Sequence, residues 1–378
     1  MVNRSLSPEA GTPASRSGKP GRRVRRTFLA AAGVSAALAV LPAAAGIAGT
    51  SSTPYTQTNL VSDIPGVARI TDPNLVNPWG VAEFPGGPLW VADNNANVAT
   101  LYTGDLAGSA LTPVNLVVKT PGGAATGQIF NGTSGFVVHN RTQKGSAKFI
   151  FSSENGVISG WAPNVGPGTP STKAQRAVTV PHAVYKGLAI IGSHLYATNF
   201  HSGHVDVFNS RFHRVRVPGA FTDARIPHGY APFGIASISG KLYVSYAKQN
   251  AQRHDDLSGP GRGFIDVYSP HGTLLKRLVR RGVLNSPWGL VVAPSAFGTF
   301  SNDLLVGNFG DGAINAFSPT TGAFLGALKN TDGNPIVIDD LWGLILGDGA
   351  AGTPQTLFFT AGIADEGHGL LGAINLAK

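Results

Sequence analysis

Pro287-Trp288-Gly289-Leu290-Val291-Val292, followed by Leu304-Leu305-Val306-Gly307-Asn308-Phe309 and then Ile314-Asn315-Ala316-Phe317, reads as three short apolar strands separated by turns. Branched and aromatic side chains at four to six residue lengths favour strand over helix. The same unit recurs. A strand opening at glycine is found at Gly80, Gly135, Gly187, Gly234, Gly289 and Gly343, at steps of 55, 52, 47, 55 and 54 residues. Four of these glycines follow an aromatic residue: Trp79, Phe233, Trp288 and Trp342. A period of this length signals a repeat architecture, which outranks any local reading.

Each glycine strand is followed by a second apolar strand, such as Leu89 to Asn94 or Leu195 to Phe200, and by a third, such as Val98 to Tyr102 or Val205 to Phe208. Alternation in Val205-Asp206-Val207-Phe208 marks the third as half exposed. Fourth strands are visible five times, at Val114 to Lys119, Gln175 to Val180, His213 to Val217, Thr273 to Val279 and Ala323 to Lys329. The sixth is missing, because the chain ends just after the last third strand. Thr56 to Ser62, ahead of the first unit, is the natural donor. The pattern therefore predicts an all-β, six-bladed β-propeller of four-stranded blades over residues 56–378, its ring closed by the N-terminal strand so that no sheet edge stays open.

Val91 to Tyr102, Ala197 to Phe208 and Val306 to Phe317 resemble the strand-turn-strand core of NHL repeats. From Thr56 to Lys378 the chain resembles an uncharacterised family of exported bacterial NHL-like propellers. It lacks the basic residue that ordinary NHL repeats carry before the third strand's apolar position. The resemblance implies the fold and carries little about function.

The 378 residues include 50 Gly and 26 Pro, no Cys, and a net charge of +9. Without cysteine there is no disulfide, thiolate metal site or cysteine nucleophile. Residues 1–45 hold seven Lys or Arg and one acid, which leaves 22 basic against 19 acidic residues in the remainder. The basicity thus belongs mainly to the leader, and nucleic acid is not an expected partner. Arg211, Arg214 and Arg216, and Lys276, Arg277, Arg280 and Arg281, form local basic clusters that read as solvated faces. Arg22 to Leu29, an uncharged alanine-rich stretch and Ala43-Ala44-Ala45 make the three regions of a signal peptide. Arg25-Arg26 before Thr27-Phe28-Leu29 resembles the twin-arginine (Tat) export signal. The expected organisation is a leader over 1–48, a linker over 49–55 and the propeller over 56–378. The mature protein is expected to be an exported, extracellular or cell-wall associated monomer without a stable membrane span.

Chain direction places the residues that start the first strands and those that end the second strands on one face, at the channel mouth. Asn77, Asp93, Glu154, Asn199, His201, Asn308 and Asp340 fall there, and such carboxylates, amides and imidazoles can bind a small molecule, glycan or protein. Glu154, Asn199, Asn308 and Asp340 could hold Ca2+ or another divalent cation, although Asn and Asp also serve plain turn capping. The fourth unit inserts Lys248 to Gly263 on the same face, a long loop carrying Arg253, His254, Asp255 and Asp256 as candidate lid residues. A shorter loop in the sixth unit carries Asp365, Glu366 and His368. His201-Ser-Gly-His204 has metal-like spacing but sits in a turn. Neither a nucleophile elbow nor a phosphate loop is present. The leading expectation is a ligand- or partner-binding propeller with no assigned catalytic residue. The alternatives are a metal-dependent lactone or ester hydrolase, or a lyase, with His228 or His254 as general base, and a cell-wall or extracellular scaffold.

Overall fold

The structure, a computed structural model, describes residues 53–106 and 110–378. The expected leader over 1–48 and the start of the expected linker lie outside them. The described residues form six antiparallel sheets set as blades around a channel, a six-bladed β-propeller. The innermost strands, in blade order, are Pro78–Ala82, Ala125–Phe130, Tyr185–Ile191, Tyr230–Ile238, Pro287–Val292 and Leu341–Leu346. Each packs against the next, and the last packs against the first.

The repeating glycine explains this ring. A Cβ on Gly80 would sit 2.4 Å from the Thr126 carbonyl oxygen, one on Gly127 2.5 Å from the Leu188 nitrogen, and one on Gly187 3.1 Å from the Ile235 nitrogen. Continuing round, Gly234 would meet the Trp288 carbonyl at 2.1 Å, Gly289 that of Trp342 at 2.7 Å, and Gly343 that of Trp79 at 2.7 Å. Every blade therefore needs glycine where its inner strand abuts its neighbour's backbone. Hydroxyls reinforce the same seam. Thr126 Oγ1 donates to the Tyr185 carbonyl at 2.8 Å, Thr198 Oγ1 to that of Phe233 at 2.7 Å, Ser245 Oγ to that of Pro287 at 2.6 Å and Thr360 Oγ1 to that of Trp79 at 2.6 Å.

The second blade departs from the sequence reading. Its inner strand is Ala125–Phe130, centred on Gly127, and the glycine positions step by 47 and 60 residues rather than 55 and 52. Gly135 lies ahead of an inserted hairpin, Val137–His139 paired with Lys144–Ser146, between the blade's first and second strands. Only Gly127 meets the inner strand of the next blade, so the close packing selects it over Gly135. Asn131 directly follows this inner strand, its Nδ2 donating to the Ala147 carbonyl at 2.8 Å.

Closure occurs as the strand count requires. Tyr55–Ser62 runs antiparallel to Leu370–Leu376, with Tyr55 opposite Leu376 and Ser62 opposite Leu370, and Ile70–Thr71 pairs outside it. Tyr55, at the end of the expected linker, is already the first residue of this strand. It is fully buried, packs against Phe297 with tilted rings 5.0 Å apart, and its hydroxyl donates to the Phe297 carbonyl at 2.8 Å. At the mouth, Trp79, Phe200, Phe233 and Trp342 form a buried aromatic pad joined by Trp288 and Phe309. Trp79 and Trp342 stack with centroids 3.5 Å apart. Below it the channel encloses a cavity of about 240 Å³ lined mainly by the inner-strand glycines and aliphatic residues. No helix of the described residues is long and apolar enough to cross a membrane.

Candidate functional site

The residues ahead of the inner-strand glycines are, in blade order, Trp79, Thr126, Lys186, Phe233, Trp288 and Trp342, of which the four aromatic ones share one cluster. Lys186 thus stands where four blades carry an aromatic ring. Its side chain is 2% exposed, pairs with the Glu154 carboxylate, and lies 3.7 Å from Asp255. The ammonium sits over the faces of Trp79 at 4.9 Å and Phe200 at 5.9 Å, a favourable cation–π arrangement. A buried ammonium must be paired to persist. Here the carboxylates exceed it in number.

Asp256, on the inserted loop, accepts hydrogen bonds from the Ser286 and Ser258 hydroxyls. Burial raises its carboxyl above the usual range, against the pull of these bonds and of Lys186. Glu366 accepts from Asn77 Nδ2 at 2.9 Å, and burial pushes its carboxyl to about 7, with Asn77 and Lys186 acting in the opposite sense. Asp340 is pushed to about 6, first by burial and then by Asp339. Lys186 meets Glu154 and Asp255 directly, and it also bears on the charges of Asp256 and Glu366.

The other residues expected from sequence divide by environment. Asn77, at φ 50, bridges Glu366 to the pad, its Oδ1 accepting from Trp79 Nε1 at 3.0 Å and Trp342 Nε1 at 3.2 Å. Asp93 is fully buried and accepts from Thr100 Oγ1 at 2.9 Å, and burial drives its carboxyl far upward. Asn199 is spent within its blade: Nδ2 donates to Asp206 Oδ2 at 3.0 Å, and Oδ1 accepts from the Val184 and Ser202 amides. Asn308 donates to the Val283 carbonyl at 2.8 Å and to Asp311 Oδ1 at 3.1 Å. Asn199 thus serves its turn in the capping manner that Asn favours, whereas Asn308 Oδ1 is buried without a hydrogen-bond partner among the described residues.

Of the four residues expected as a metal set, Asn199 is engaged through both its amide atoms, whereas Asn308 uses only Nδ2 and keeps a buried Oδ1 without a hydrogen-bond partner among the described residues. Glu154 instead converges with His254 and Asp255, one ligand atom of each lying within 4.8 Å of the others. His254 Nδ1 is 2.7 Å from Asp255 Oδ1. His201, His228 and Arg253 come together elsewhere, in a cleft beside the mouth. The loop Lys248 to Gly263 therefore serves both places. The sequence reading missed Lys186, although its break in the aromatic series was a visible signal.

The chain is 35% identical over 327 residues to Uncharacterized protein R648 of Acanthamoeba polyphaga mimivirus, spanning 83% of this chain and 78% of that protein. It is 33% identical over 291 residues to Uncharacterized protein L690 of the same virus, spanning 75% and 77%. These relatives are viral, whereas the resemblance had pointed to bacterial proteins. A solved structure described as glucose dehydrogenase matches with a TM-score of 0.50 and 14% identity, over 85% of this chain and all of that one, a likeness of fold. No protein-family model matches the chain. By this identity and coverage, the chain belongs to the family of the mimivirus proteins R648 and L690.

Proposed function

We propose that the protein binds a small ligand at the channel mouth, and that the ligand brings positive charge, as a divalent cation or an organic ammonium group. The observation that carries this reading is the imbalance around Lys186, one ammonium paired with Glu154 and Asp255 and interacting with Asp256 and Glu366, with Asp340 a further acid beside those two. Burial raises Glu366 and Asp340, so a bound cation would favour their ionised forms and compete with protons as the pH falls. Oxygen donors of this kind suit a hard cation such as Ca2+. The loop Lys248 to Gly263, held through Asp256 to Ser286 and through Asp255 to Lys186, acts as the cover that adjusts to the ligand. The protein works as an exported monomer, delivered by the leader over residues 1–48.

Calorimetric titration at pH 7.5 with CaCl2, and separately with putrescine, tests the binding. Saturable one-site uptake of either, weakened at least tenfold in Glu366→Gln, supports it. Saturation by neither, or equal affinity in the variant, overturns it. A second reading, hydrolysis of a lactone or ester with a bound divalent cation, is favoured by the convergence of Glu154, His254 and Asp255. That group could hold a cation able to polarise a carbonyl and lower the pKa of water. Turnover of a simple lactone that requires added CaCl2 and falls in His254→Ala would select it.

A further inference from the structure

The cleft beside the mouth differs in charge from the mouth itself. It has a volume of about 390 Å³ and lies between the third and fourth blades, under the near end of the Lys248 to Gly263 loop. Its polar lining includes His201 from the turn joining two strands of the third blade, His204 at the start of the second of these strands, His228 from the segment leading into the fourth, and Arg253 from the loop. None of these four side chains makes a hydrogen bond or ion pair with any other among the described residues. The apolar floor is given by Phe221, Ile226, Pro227 and Tyr230.

One acid, Asp223, lines this cleft, and its charge is already answered. Arg277 Nε meets both carboxylate oxygens at 2.9 Å, and Arg280 Nη2 meets Oδ2 at 2.6 Å. The cleft therefore offers donors without a competing free carboxylate. A guanidinium and three imidazoles on an apolar floor match the needs of an oxyanion, which takes charge-assisted bonds from several directions. We infer that this cleft is a binding site for a small oxyanion-bearing ligand, a carboxylate or a phosphate ester, with Arg253 as the fixed positive charge and His201, His204 and His228 as further donors.

An adjoining cavity of about 350 Å³ shares His204 and Thr222 and carries Arg214 and Arg216 on its wall. Arg214 is committed to Asp206. Arg216 has no such partner among the described residues, so a second anionic group on the same ligand finds a donor there. The basic cluster that reads as a solvated face in the sequence thus lies at one end of a groove.

Calorimetry with sodium phosphate and with sodium succinate on the full chain tests the assignment, with histidine ring signals followed by NMR in parallel. The expected result is saturable binding of at least one anion, shifts at His201, His204 and His228, and a loss of at least tenfold in the Arg253→Ala, His228→Ala double variant. Arg211→Ala, an exposed arginine outside the cleft, should bind as the unaltered chain does. Saturation by phosphate alone assigns a phosphoryl ligand, and saturation by succinate alone assigns a carboxylate. If neither anion saturates, or if the double variant, folded by circular dichroism, retains full affinity, the inference is overturned.

Discussion

Replacing Lys186 separates what the lysine does for stability from what it does for recognition. In Lys186→Met an apolar stem of similar length keeps contact with Trp79 and Phe200, but Glu154, 14% exposed, faces Asp255 without its counterion. Removing one partner of a buried pair in this way costs about 3–5 kcal/mol, because the remaining charge is stranded. The double variant Lys186→Met, Glu154→Gln removes the stranded charge as well. Four equivalent positions already accept an aromatic ring, so the site tolerates an apolar group, and the double variant should return to within about 1 kcal/mol of the parent. Urea unfolding followed by tryptophan fluorescence reads both. With a slope on the order of 3 kcal/mol per molar, the single variant should lose roughly 1 M or more in midpoint and the double variant little. A single variant as stable as the parent, or a double variant as unstable as the single one, would refute the reasoning that Lys186 is kept for its charge and not for the fold.

Three further outcomes follow from the same geometry. Tyr55→Ala empties a fully buried position in the closing strand and should cost about 3–5 kcal/mol, whereas Tyr55→Phe, which loses only the bond to the Phe297 carbonyl, should cost about 1 kcal/mol; urea midpoints check both. Thr360→Val removes a hydroxyl that donates to the Trp79 carbonyl at 2.6 Å and accepts from the Gly343 amide at 2.8 Å, leaving both unpaired in the sixth-to-first blade seam. A loss of about 1–3 kcal/mol is expected in the same assay. Carboxyls raised by burial, Asp340 to about 6, Glu366 to about 7 and Glu83 to about 8, hold more protons in the folded than in the unfolded chain. Stability should therefore fall as pH rises from about 4.5 to 8. The slope of unfolding free energy over that range should flatten in Glu366→Gln, and a slope unchanged from the parent would contradict this.

The blades were legible because a physical constraint repeats in the sequence: an inner-strand glycine must meet the neighbouring backbone, and aromatic residues ahead of it mark the place. The reading slipped where that marker failed. In the second blade Thr126 precedes Gly127, and an inserted hairpin offers Gly135 with a better apolar run behind it. Closure by the N-terminal strand was legible from counting, since Thr56 to Ser62 reads as a strand that belongs to none of the six units, and it pairs with Leu370–Leu376.

The site was legible as a face but not as a set of contacts. Glu154 and His254 converge with Asp255, although His254 comes from the inserted loop and no strand direction places it. Asn199 is used up by Asp206, Val184 and Ser202, while Asn308 donates to Val283 and Asp311 and leaves its Oδ1 unpartnered among the described residues, and residue type cannot distinguish a capping amide from a binding one. Glu366 meets Asn77 across 289 residues, a contact that exists only once the ring has closed. Lys186 reads as an ordinary surface lysine until the six blades are aligned on their glycines. At that point its place in the aromatic series makes it conspicuous.

The most direct measurement of the proposed function is a crystal structure of the protein grown with millimolar calcium or putrescine. The account predicts density for the added cation among Glu154, Asp256, Asp340 and Glu366, with the Lys248 to Gly263 loop adjusted over it. Density confined to the rim, with the Lys186 to Glu154 pair and the loop unchanged at both additives, would contradict it.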